Sequence, residues 1–367
     1  MSHSFQVTEP GFKPKSFDAN AFFIDFALQT VISLLSHRHL VYQGQYMEDA
    51  RNKTELPPGF FLQGFSEFPH LQPFLFVILL VVHLATLSGN LIILVSVVSV
   101  ATRPPMLLFL CQLSAIELCY TLVVVPRSLV DLARAQARGS PISFLGCAVQ
   151  MQMFVALGGA ECFLLAAMAY DRYVAICHPL RYPVLMTPGL CGRLALSCCL
   201  GGLVVSIFLT VAIFQMPFCG SHLLIHFFCD VTALLHLACT HSYVEELPFL
   251  GACIVLLLVP SFLILMSYGA IVGALRRLHS SGGRKKAAST CASHLAVTLL
   301  HYGCASFMYA RPKTSYAPKR DRTLALVYTN VTPLLYPLIY SFRNREVTMA
   351  IQRVLRLKGD GHSLVTG

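Results

Sequence analysis

The chain has 367 residues, 56% of them hydrophobic and 12% charged, and its mean hydropathy is +0.66. A soluble domain carries about a quarter charged residues, so this composition excludes an ordinary water-soluble fold and points to a membrane protein. The formal net charge of +10 raises nucleic acid as a partner, but no basic block sits beside an aromatic platform. Positive charge at the ends of membrane spans accounts for it instead.

Residues 1–46 differ in character from the rest of the chain. Ala21 to Leu35 is apolar but carries Asp25 and Gln29, and no clear small-residue cleavage site lies downstream. It could be a cleaved signal peptide with Lys13 and Lys15 as its basic region, or a non-native extension, which is the favoured reading. As an eighth span it is too short. Met47 opens a tail of ordinary length that holds Asn52-Lys53-Thr54, a glycosylation sequon.

Beyond residue 67 the charges fall at intervals. No Asp, Glu, Lys or Arg occurs in 68–102, 139–160, 194–229, 247–275, 287–310 or 323–342, and Met106 to Pro126 is interrupted only by Glu117. Each run is about as long as the roughly 20 residues that cross a hydrocarbon core of about 30 Å. Seven spans are predicted, at about 71–98, 106–131, 144–176, 192–214, 246–275, 287–310 and 323–342. The fold class is an all-α seven-helix membrane bundle, with a tail on each side: 1–70 before it and 343–367 after it. The runs are too long, and too little alternating, for barrel strands.

With the N-terminus outside, the inner loops and tail hold fourteen Lys and Arg, against ten outside from residue 47 onward. This positive-inside excess votes for an outer N-terminus, and the sequon at Asn52 requires one. A second sequon at Asn330 lies inside the last span and is expected to stay unmodified. Fourteen cysteines are present, mostly within the apolar runs, and none forms a CxxC pair, so zinc-ribbon and redox readings are poor. Cys219, Cys229 and Cys239 cluster between spans four and five, where an external loop permits disulfides.

Met168 to Tyr182 reads MAYDRYVAICHPLRY at the end of the third span. In order along the chain stand Gly89-Asn90, PMLLFLCQLSAIE from Pro105, SFLGCAVQ from Ser143 and HFFCD from His226. LACT from Leu237, SYGAIV from Ser267, KAASTCASHL from Lys286 and PLLYPLIYSFRNREV from Pro333 come after them. Over about residues 55–358 the sequence resembles the olfactory receptors, a branch of rhodopsin-like class A G-protein-coupled receptors. The resemblance implies a plasma-membrane receptor that is not an enzyme. Its partners would be a small volatile odorant, a heterotrimeric G protein of the stimulatory type and the lipid bilayer, with no nucleic acid.

The resemblance also assigns roles. Asp171, Arg172 and Tyr173 form the switch, in which the carboxylate neutralises the arginine at rest and activation frees it for the G protein. An intramembrane charge is functional by default. Tyr268 and Tyr340 match tyrosines that meet near Arg172 in active receptors. Cys147 matches the cysteine bonded to the long outer loop, by motif to Cys229, which leaves Cys219 with Cys239. Four cysteines allow three pairings, and sequence alone does not choose. His226, Cys229 and Asp230 fit a metal-site pattern too, but that use of Cys229 competes with the disulfide, so metal ranks well behind.

Glu117 and Glu161 are the carboxylates deep in the bundle. Two anions in low dielectric need a shared proton, a cation or hydrogen-bond donors, and the expectation is one sodium ion or one shared proton in the resting state. Tyr336 is the main departure from the family. Tyr336-Pro337-Leu338-Ile339-Tyr340 stands where NPxxY is usual, and Tyr brings one hydroxyl on a bulky ring in place of a compact amide. Tyr336→Asn is then expected to raise surface expression or agonist response. Smaller departures are Leu107-Leu108, Ala288 and His301.

By motif alignment with that family, the resemblance implies a ligand cavity lined by Met151, Phe154, Val155, Gly158 and Gly159 of span three. Ala252 and Leu256 would join from span five, Tyr302, Ala305 and Tyr309 from span six, and Thr329 from span seven. No acid in this set would anchor an amine, so an uncharged volatile is the expected ligand. Residues 344–357 suit an amphipathic helix on the inner surface, with no cysteine after Cys304 to anchor it. A transporter would show inverted repeats or broken helices, and a hydrolase would show a motif such as HExxH; neither is found. Within the family, the competing readings are a receptor impaired by Tyr336 and a non-olfactory class A receptor.

Overall fold

A computed structural model describes residues 59–98, 104–134, 139–219, 222–239, 243–277, 281–310 and 317–343, together with 348, 349 and 352; Tyr340 is described by its backbone alone. The expectations for residues 1–46, for Asn52 and for most of the tail helix at 344–357 lie outside these residues.

Among the described residues seven long helices build the bundle. They are α1 Gln72–Val98, α2 Pro105–Arg134, α3 Phe144–Cys177, α4 Pro188–Phe214, α5, α6 Ser281–Tyr309 and α7 Pro318–Arg343. Helix α5 runs through Tyr243–Cys253, a π-helical turn at Ile254–Leu258 and Val259–Arg277. By length and composition five of them, α1 to α5, could cross a membrane. Helices α6 and α7 start in charged turns, at Arg284-Lys285-Lys286 and at Lys319 to Arg322, which dilutes their apolar character.

Local chemistry sets the ends and bends. Ser143 caps α3 by accepting from Gly146 N at 3.0 Å, and Thr187 caps α4 ahead of Pro188. The π turn in α5 has a backbone cause: Val259 N–H bonds Ile254 O, five residues back, and Pro260 next to it has no N–H to offer. Apolar side chains such as Phe74, Val81, Leu91, Phe262 and Leu265 face outward on α1 and α5, as hydrocarbon contact requires.

Helix α3 is the central rod, packed on α2, α4, α5 and α6. Its approach to α4 needs Gly202, where a Cβ would lie 2.4 Å from Ala156 O and 2.5 Å from Ala160 N. Helix α1 meets α7 at Gly89, against Pro337, and Asn90 Nδ2 donates to Thr86 O at 3.0 Å. Two apolar clusters fill the bundle, one toward each end, and a layer of buried polar residues lies between them.

One end is capped. Strand β1 Gly59–Leu62 pairs antiparallel with β2 Ser140–Ser143 and parallel with β3 Leu223–Leu224. Nothing in the sequence marks β1, which falls inside the tail expected at 1–70. Phe60 and Leu62 point from it into the apolar cluster. Disulfides Cys147–Cys229 and Cys219–Cys239 pin the segment between α4 and α5 over the bundle.

Because backbone rather than a flexible side chain blocks the space at Gly202, Gly202→Val must separate α3 from α4. It is expected to cost about 1–3 kcal/mol or more and to lower the melting temperature of purified protein. Gly192→Ala, with nothing near its added carbon, is expected not to lower it.

Candidate functional site

A cavity opens among α2, α3, α4, α5, α6 and α7 beneath the cap. Phe154, Val155, Gly158, Gly159, Ala252, Leu256, Ala305 and Tyr309 line it, all from the set read off the sequence. Three members of that set are elsewhere. Met151 is packed in the apolar cluster, Tyr302 gives its hydroxyl to Cys162 O at 2.7 Å, and Thr329 bonds back to Ala325 O at 2.8 Å.

Sequence reasoning missed Tyr120, Cys162, Leu209, Val231, Phe249, Cys253, Leu257 and Tyr328. A signal existed for Tyr120, which stands one helical turn from Glu117 on the same face. Val231 comes from the short helix Val231–Leu237 of the cap, which no span-based reading reaches. Among the described residues no Asp, Glu, Lys, Arg or His belongs to the lining. Polar character comes from tyrosine hydroxyls, and that of Tyr309 is already engaged with Asp230 Oδ1 at 3.0 Å.

Below the cavity lies the polar layer. Glu117 of α2 and Glu161 of α3 are both buried, and their carboxyls come within hydrogen-bonding reach of each other. His301 of α6 places Nδ1 2.9 Å from Glu161 Oε1 and 3.1 Å from the hydroxyl of Tyr336 on α7. His301 Nδ1 and Glu161 Oε1 are in close contact without forming an aligned hydrogen bond. On its other side, His301 Nε2 meets Cys162 Sγ at 3.2 Å.

Tyr336 is therefore engaged through its hydroxyl with His301, and among the described residues it is the largest wholly buried side chain. Pro337, next along α7, packs on Gly89.

At the opposite end from the cap, Arg172 is held by its neighbour. Its Nε and Nη2 both reach Asp171 Oδ2, at 3.0 and 2.5 Å, and Tyr182 donates to Oδ1 at 2.8 Å. Burial beside Asp171 pushes the Tyr182 phenol above its ordinary pKa, so it stays a donor. Tyr173 pairs with His178 at 3.1 Å, outside this arrangement. Tyr268 bonds His294 Nδ1 at 2.6 Å and so ties α5 to α6 rather than meeting Arg172. The side chain of Tyr340 lies outside the described residues.

In the cap, Cys229 has its sulfur in the disulfide and its N–H on Gln150 Oε1 at 3.0 Å. Asp230 caps the helix Val231–Leu237 and takes the hydroxyls of Thr232 and Tyr309. Burial holds the His226 imidazole below its ordinary pKa, stacked on Phe227. The disulfide takes the Cys229 sulfur that the metal-site pattern would use, and the Asp230 carboxylate is engaged by the helix cap, Thr232 and Tyr309.

A cavity among seven helices, with a paired arginine at the far mouth, defines a seven-helix membrane receptor. The chain belongs to the olfactory receptor family, whose profile matches residues 79–358. It is 74% identical to human olfactory receptor 10AC1 over 316 residues, covering 86% of this chain and 97% of that protein. To human olfactory receptor 10K1 it is 47% identical over 305 residues, covering 83% and 96%. To human olfactory receptor 10K2 the identity is 45% over 306 residues, covering 83% and 97%. The chain is a multi-pass membrane protein of a receptor family, not an enzyme, and its function is odorant reception.

The burial of Tyr336 reverses the expectation that its replacement by Asn would help the receptor. Tyr336→Asn removes a buried ring and strips His301 of a partner, so a loss of about 2–5 kcal/mol and lower surface expression are expected. Tyr336→Phe keeps the ring and loses the hydroxyl, for about 1–3 kcal/mol. Thermal melting of purified protein beside surface labelling of cells measures both.

Proposed function

We propose that this receptor binds a small uncharged volatile in the cavity beneath the cap and couples to a heterotrimeric G protein of the stimulatory, olfactory type, raising cAMP. The observation that carries this reading is that one rod serves both sites. Helix α3 lines the cavity from Phe154 to Cys162 and carries Arg172 at its other end. Gly158 and Arg172 are fourteen residues apart, which is about 20 Å along a helix.

The lining supports an uncharged ligand, since a charged group entering it would meet no opposite charge. The Asp171–Arg172 pair, braced by Tyr182, is the resting arrangement of a two-state element. In this reading the N-terminus and the cap face the outside of the plasma membrane, and the Arg172 mouth faces the cytosol. Arg276 and Arg277 at the foot of α5 agree with that side. The bond between the Tyr336 hydroxyl and His301 supports reading the chain as a signalling receptor rather than one impaired at this position.

Two experiments test the proposal in cells carrying a cAMP reporter and challenged with an odorant panel. Gly158→Leu fills the cavity and is expected to abolish the response to every active odorant while surface protein persists. An unchanged response would remove the cavity from the mechanism. Asp171→Asn is expected to raise basal cAMP severalfold, and Arg172→Ala to bring stimulated cAMP to background. Normal signalling from surface-expressed Arg172→Ala would sink the coupling claim.

A further inference from the structure

We propose that His301 is the resident counter-ion of the acidic centre, and that its side chain takes the place in which the sequence leads one to expect sodium. The inference goes beyond the proposed function and does not rest on coupling to a G protein.

A hard cation seeks oxygen ligands with open approach. Here Glu161 Oε1, which like Glu117 Oε2 is a buried carboxylate oxygen without an aligned donor, has His301 Nδ1 at 2.9 Å. The approach from α7 is filled by the ring of Tyr336, 1% exposed, and Nε2 of the same imidazole rests against Cys162 Sγ. The ligand cavity is lined by neither carboxylate, nor by His301 or Tyr336. The residues present do not fit a sodium ion between Glu117 and Glu161.

The charges close without one. The groups that face His301 are Glu161 and Cys162 of α3, Glu117 of α2, Tyr302 of its own helix, and Tyr328 and Tyr336 of α7. With one proton between the two carboxyls, one negative charge remains, and an imidazolium balances it. Two anions at this spacing cannot both stay unprotonated in low dielectric. His301 and Tyr336 are each a departure from the family's sequence, and each supplies the partner the other needs. Together they tie α3, α6 and α7 by side chains alone.

The consequence is a resting bundle whose stability ignores ambient sodium. In purified receptor without ligand, the melting midpoint in sodium chloride is expected to equal that in choline chloride at the same ionic strength. The double variant His301→Phe, Tyr336→Asn reopens the space, and its midpoint is expected to rise by about 2–4 °C or more from choline to sodium. A wild-type midpoint that rises with sodium, and ceases to in Glu161→Gln, would overturn the proposal. So would a double variant that folds and ignores sodium.

The wild-type arm needs no substitution, so a variant that fails to fold leaves the test standing. A second measurement is a double-mutant cycle on Glu161→Gln and His301→Phe, expected to be non-additive. Additive losses would show that the two side chains are not a pair. None of these readouts involves a G protein, so this inference and the coupling proposal can fail separately.

Discussion

A charge enclosed among lipid-facing helices must find its opposite inside the bundle, and this constraint fixes much of the rest. Apolar packing between helices in hydrocarbon has little direction, because lipid tails are as apolar as leucine. Polar pairs do have direction, and leaving one unmatched costs several kcal/mol. Three such points are spaced along this chain. Asp171 with Arg172 closes one mouth, and Glu161 with His301 and Tyr336 ties three helices at mid-depth. At the capped end Arg322 of α7 bonds Gly64 O and Glu67, beside the ring of Phe65. The last of these brings the N-terminal segment down onto the bundle.

The same constraint explains what could be read from the sequence. All seven spans announce themselves because a bilayer tolerates few charges, and runs without charge are visible in one dimension. Helices α6 and α7 begin in charged turns, and α7 opens at Pro318, ahead of the charge-free run that starts at residue 323. The switch residues and most of the cavity lining on α3 were legible through motifs fixed in register on one helix. Tyr120 and Tyr328 were not, because their place in the cavity depends on how α2 and α7 rotate against α3. Strand β1 escaped entirely: four residues reading Gly59 to Leu62 carry no alternation strong enough to mark a strand.

His301 and Tyr336 show the limit most clearly. Each was visible as a departure, yet they are 35 residues apart on different helices, and nothing in one dimension says that they touch. A motif reading scores each position against its expected residue, so two changes that answer one another register as two defects. Distance in space is the missing quantity. Once it is known, a buried tyrosine that looked like damage becomes a hydrogen-bond partner.

That exchange bears on how the receptor can move. A small hard ion is held by several ligands at once, and it can leave when they separate. An imidazole belongs to α6 and cannot leave, so any rearrangement that draws α6 from α3 must separate Nδ1 from Glu161 in the same step. The cross-tie at His301 has a second α3–α6 contact nearer the Arg172 mouth, where His294 of α6 binds Leu165 O of α3, at 3.1 Å, and Tyr268 of α5. Opening the far mouth means breaking a series of α3–α6 contacts that run from Tyr302 through His301 to His294. In the proposed function the energy for that step comes from a ligand in the cavity, which Ala305 of α6 lines together with Gly158 and Gly159 of α3. A ligand that binds with equal strength whether or not α6 has moved shifts nothing. On that proposal, contacts between the ligand and the α6 face that carries Ala305 and Tyr309 are the ones able to tell the two arrangements apart.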